Sequence, residues 1–66
     1  MPRNSTQKEI GLLVTDGAQL FLRRDDGGHW RLDAPASIRK FIGNRITIEA
    51  VRDGFDLLVV ERFSAL

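Results

Sequence analysis

An all-β barrel of five short strands, with one short helix between the third and fourth, is predicted for this 66-residue chain by three observations. Arg45 to Arg52 alternates apolar and polar residues, the period of a strand with one buried face. Asp-Gly dipeptides recur at Asp16-Gly17, Asp26-Gly27 and Asp53-Gly54. Both positions tolerate the positive φ of a tight hairpin turn. One stretch, Pro35 to Ile42, leaves the strand period and takes up a helical one.

The elements follow in chain order. Met1 to Glu9 carries no apolar residue after Met1 and reads as a disordered tail, so the barrel domain is placed at residues 10–66. Ile10 to Thr15 is the first strand, with Gly11 inside it permitting a bulge or a sharp coil. Ala18 to Arg24 is the second, Leu20 and Leu22 on one face and Phe21 and Arg23 on the other. After the turn Asp25 to Gly28, His29 to Asp33 is the third. Trp30 and Leu32 point one way there, and His29, Arg31 and Asp33 the other. Pro35 suits a first helical turn, with Asp33 or Ala34 as the cap. Ile38, Phe41 and Ile42 line one face of a helix of about two turns, Arg39 and Lys40 sit near its C-terminus, and Gly43 stands where a capping glycine belongs. Arg45 to Arg52 is the fourth strand, with Ile46, Ile48 and Ala50 inward. Phe55 to Phe63 is the fifth. Its run Leu57 to Val60 is apolar on both faces, which leaves its register open and suits a strand that meets the barrel on one side and the helix, the tail or a partner on the other.

The helix decides between two small barrels. An oligonucleotide/oligosaccharide-binding (OB) fold carries its helix between strands three and four; an SH3-like barrel carries a short helical turn between strands four and five. The latter link is here the tight Asp53-Gly54, so the chain reads as OB-like. The run Ile42-Gly43-Asn44-Arg45-Ile46-Thr47-Ile48-Glu49-Ala50, then Asp53-Gly54-Phe55-Asp56-Leu57-Leu58-Val59-Val60, resembles the last two strands of small bacterial OB-like domains. In those, a Gly-x-x-Val-x-Val-x-Gly run leads into a hairpin and an apolar last strand. Ile46 and Ile48 stand at the valine positions and Ala50 where glycine is common. Gly11-Leu12-Leu13 and Trp30-Arg31-Leu32 are similar to that group's first and third strands. The resemblance covers nearly all of residues 10–63 and is to an uncharacterised bacterial family of short OB-like domains. It implies a fold and brings no catalytic residue.

Composition narrows function by exclusion. Ten Lys plus Arg oppose nine Asp plus Glu, so a polyanion would be held by a local patch rather than by net charge. There is no cysteine and one histidine, His29, too few soft ligands for a closed metal site; no metal and no cofactor are expected. Ser5, Ser37 and Ser64 find no convergent base and acid, and no glycine-rich phosphate loop is present, so the chain is expected not to be an enzyme. The acids Asp16, Asp25, Asp26, Asp53 and Asp56 read as turn residues. No signal-peptide pattern or membrane-length apolar run occurs, and a cytoplasmic location is the expectation.

One constellation remains. With Leu20, Leu22, Trp30 and Leu32 turned inward, Phe21, Arg23, His29 and Arg31 share the outer face of strands two and three. An aromatic platform with flanking arginines is what stacking a base and neutralising its phosphates requires. The plainer reading of the same residues is a solvated face, with Arg23 and Arg31 paired to Asp25 and Asp33. Two functions are therefore carried forward: a protein-interaction or assembly module that covers the last strand with a partner protein or second copy, and a weak binder of single-stranded nucleic acid through Phe21, Arg23, His29 and Arg31.

Overall fold

A computed structural model describes residues 6–66. Five strands, β1 (Thr6–Asp16), β2 (Gln19–Arg24), β3 (His29–Asp33), β4 (Arg45–Arg52) and β5 (Leu57–Ala65), are joined by short turns and one helix between β3 and β4. The sheet order is β1-β2-β3-β5-β4, and β4 pairs back onto β1, so every strand has two partners and the ring closes. All joins are antiparallel except β3–β5, which is parallel. The all-β architecture and the order of three strands, helix, two strands agree with the sequence reading.

Strand β1 serves two neighbours. Thr6 to Leu12 pairs with β4, and Gly11 to Asp16 pairs with β2. At the hand-over a side chain on Gly11 would put its Cβ 2.2 Å from the backbone oxygen of Arg23 and 3.1 Å from Leu22 Cγ. Only glycine lets the two backbones approach this closely. The strand thus begins at Thr6, and the expected tail is corrected: Thr6 to Glu9 belongs to the sheet, because the long β4 offers backbone partners that apolar patterning does not report. Met1 to Ser5 lies outside the described residues. At the other end, β5 starts at Leu57 rather than Phe55 and runs to Ala65. Glu61 is an extra residue opposite the Glu49/Ala50 step, a bulge of the kind that bends barrel strands.

The core is Leu13, Leu20, Leu22, Leu32, Ile38, Ile46, Ile48, Ala50, Leu58 and Val60. The alternation of β4 is borne out, with Ile46, Ile48 and Ala50 all buried. The register of β5 resolves as Leu58 and Val60 inward, Leu57 and Val59 outward and half-buried. Trp30 turns inward as expected but is only half-buried, packed against the edge of the core.

The helix differs in kind from the expectation. Ala36–Phe41 is a 3-10 helix, closed by Ile38 N–H to Pro35 O at 3.1 Å and Ile42 N–H to Arg39 O at 3.1 Å. Its cap is Pro35, with no side-chain hydrogen bond, instead of Asp33 or Ala34. Six residues leave little room for α-helical bonding, and 3-10 turns are the usual form of so short a connector. Ile38 is wholly buried, Phe41 and Ile42 pack against the core from its edge, and Phe41 meets Phe63 of β5 edge-on at 5.8 Å between centroids. Gly43 ends the element at φ 93° and donates to Leu13 O at 2.7 Å, tying the helix exit to β1.

Candidate ligand-binding face

Antiparallel pairing of β2 and β3 sets Phe21 opposite Arg31 and Arg23 opposite His29. All four side chains leave the same outer face, because Leu20, Leu22 and Leu32 between them point into the core. Phe21 is half-buried and the other three are exposed. The rings of Phe21 and His29 meet edge to face, 5.5 Å between centroids at 78°. The partial positive edge of one ring against the π face of the other stabilises such a pair and fixes both planes.

Phe21, Arg23 and His29, with Val14 and Asp16 of β1, line an open cleft of about 260 Å3. Val14 pairs with Phe21, which makes it the apolar wall of the cleft. Asp16 stands beyond it at the β1–β2 turn. Neither Arg23 nor Asp16 makes a side-chain hydrogen bond or ion pair among the described residues.

Arg31 belongs to this face by register and departs from it by partner. Its Nε donates to Asp56 Oδ1 at 2.9 Å, and its backbone N–H donates to Asp56 O at 2.8 Å. The other charges of the region are paired differently from the expectation. Asp25 takes Arg45 at 2.6 Å, and Asp26 takes Arg24 at 2.7 Å. The pairings of Arg23 with Asp25 and of Arg31 with Asp33 are absent among the described residues. The structure therefore brings Phe21, Arg23 and His29 together and draws the head of Arg31 toward the β4–β5 loop. Val14 and Asp16 were missed from sequence. The alternation of β1 outward from Leu13 is the signal that would have placed them.

A second aromatic–arginine group sits at the mouth of the barrel. Arg24 and Arg52 lie over the Trp30 ring, 6.0 and 5.6 Å from its centroid. Arg52 also donates to Gly54 O at 3.1 Å and Phe55 O at 2.8 Å, pinning the β4–β5 loop. That loop presents Phe55, which is 88% exposed. The indole Nε1 of Trp30 is buried with no partner among the described residues.

Among the described residues, no three His, Cys, Asp or Glu side chains are grouped to hold a metal ion. Nor is any helix there long and apolar enough to cross a membrane. The model of one protein family, described as "Protein of unknown function (DUF5818)", matches residues 10–66. The chain belongs to the DUF5818 family. The match spans every strand of this DUF5818 domain from Ile10 onward, and with it every residue of the cleft. No curated protein and no solved structure matches the chain.

Proposed function

We propose that this DUF5818 domain is a non-enzymatic OB-fold module that binds single-stranded nucleic acid on the outer face of β2 and β3. The OB reading is supported by the closed order β1-β2-β3-β5-β4, the parallel β3–β5 join and the helix between β3 and β4. The observation that carries the binding reading is the Phe21–His29 ring pair with an uncommitted Arg23 beside it, in one cleft. A base stacks on an aromatic face whatever its sequence, and a free guanidinium takes the adjoining phosphate. With Arg31 held by Asp56, the face offers one platform and one phosphate contact. That is worth about 2–4 kcal/mol before the cost of association, so a single domain binds weakly, in the millimolar range or above. Titration with a short mixed-sequence single strand is expected to shift the amides of Val14, Asp16, Phe21, Arg23 and His29 together. Shifts scattered over Arg39, Lys40 and Arg45 would refute the reading.

A second reading, a protein-interaction or assembly module, is favoured by Phe55. A fully presented aromatic on a loop held by Arg52 has the form of an interface anchor. The last strand supports it less, since Leu57 and Val59 are half-buried by their neighbours. Light scattering of the purified domain separates the two: a mass that rises with concentration and falls to the monomer on Phe55→Ser supports assembly.

A further inference from the structure

We infer that the β2–β3 face selects guanine among the bases, with Asp16 reading the Watson–Crick edge of a purine stacked on Phe21 and Arg23 taking the adjoining phosphate. The inference rests on the single-strand reading above and adds a base preference to it.

The geometry is set by the ladder. Asp16 pairs with Gln19, Val14 with Phe21, and Leu12 with Arg23. The three rows follow one another along β2, so Phe21 lies between the row of Asp16 and the row of Arg23. Four residue steps along the strand, about 13 Å, separate the outer rows. Asp16 thus stands at one end of the Phe21 ring and Arg23 at the other. His29, opposite Arg23, stands at the same end with its ring at 78° to that of Phe21.

The chemistry of the two ends is opposite. An ionised carboxylate only accepts hydrogen bonds, and it has two oxygens to satisfy. Guanine alone offers two adjacent donors, N1–H and the N2 amino group, along its Watson–Crick edge. Adenine and cytosine set one amino donor beside a bare ring nitrogen, whose lone pair would face the second carboxylate oxygen. Thymine and uracil set one N–H between two carbonyl oxygens. At the far end, the Arg23 guanidinium takes the adjoining phosphate whatever the base. Asp16 ends β1 at the turn into β2 and also lines the cleft, where its charge repels phosphate. Its place in the cleft, unpaired among the described residues, is what points to a base donor edge.

The test uses the full chain and four thymidine pentamers whose central base is guanine, adenine, cytosine or thymine, followed by amide shifts at Asp16, Phe21 and Arg23. The guanine pentamer is expected to bind about tenfold more tightly than the all-thymine one. Asp16→Asn, on an exposed turn, is expected to keep the fold and bring the two within about twofold, since an amide both donates and accepts. Arg23→Lys keeps the charge, so it should leave both the guanine preference and the salt dependence in place. Equal binding of all four pentamers, or a preference for thymine, overturns the guanine inference and leaves the single-strand reading standing. No binding of any pentamer overturns both. If 5′-GMP alone binds as tightly as the guanine pentamer, the selection stands and the ligand is the free nucleotide.

Discussion

The outer face of β2–β3 and the mouth of the barrel are built from the same residue types and commit them differently. At the mouth, Arg24 and Arg52 lie over Trp30, and each is engaged elsewhere as well: Arg24 with Asp26, Arg52 with the carbonyls of Gly54 and Phe55. On the face, Phe21 and His29 satisfy one another, while Arg23 and Asp16 are left facing solvent in a cleft. Arginine beside an aromatic ring is thus no signal of binding by itself. What separates a structural cluster from a candidate site is whether the guanidinium's donors are already used. Arg31 illustrates the boundary, since its position belongs to the face and its hydrogen bonds belong to the frame.

Three substitutions sharpen this contrast. The largest effect is expected beneath both regions, at Ile48, which is 1% exposed in the centre of β4. Ile48→Ala should cost about 2–5 kcal/mol, a large share of what a domain this small has, and chemical denaturation measures it. A midpoint unchanged within error would mean that β4 does not hold the core. Next comes the mouth. Arg52→Ala removes two loop hydrogen bonds and the cover on one side of Trp30, for about 1–2 kcal/mol, and should speed amide exchange in the β4–β5 loop. Ligand binding by the cleft should persist at temperatures where this variant stays folded. Smallest in stability is the face. Arg23→Ala should change the unfolding free energy by less than about 0.5 kcal/mol, yet flatten the salt dependence of oligonucleotide binding by about one unit. If Arg23→Ala destabilises as much as Arg52→Ala, the distinction between the two clusters fails.

Much of this was legible from local pattern. The alternation of Ile46, Ile48 and Ala50, the turn glycines Gly17, Gly27 and Gly54 and the outward set Phe21, Arg23 and His29 all follow from a period of two and from which residues accept positive φ, although the first turn is Gly17-Ala18 rather than Asp16-Gly17 and the last is a loop from Asp53 to Asp56. What was not legible depends on partners distant in sequence. Thr6 to Glu9 is a strand because β4 pairs with it, although its own residues are polar. Leu57 to Val60, apolar throughout, has a register only once Ala50 and Leu32 are seen opposite Val60 and Leu58. The capture of Arg31 by Asp56 joins residues 25 positions apart, while the acids nearer in sequence, Asp25 and Asp33, looked as eligible. The helix was misjudged in period, because Ile38, Phe41 and Ile42 fit three residues per turn nearly as well as 3.6.

The parallel join between β3 and β5 has a consequence for how the molecule breathes. It is the shortest seam of the ring: only Arg31 to Asp33 face Leu57 to Val59. Opening there frees the fewest ladder bonds, so transient excursions of the native state run along this line first. The Arg31–Asp56 pair stitches the foot of the seam through both side chain and backbone. An arginine that resembles a ligand contact is thereby the clasp of the barrel, and the strand it clasps carries His29 on its outer face. Whatever loosens that clasp will be felt as motion under the cleft before it is felt as loss of fold.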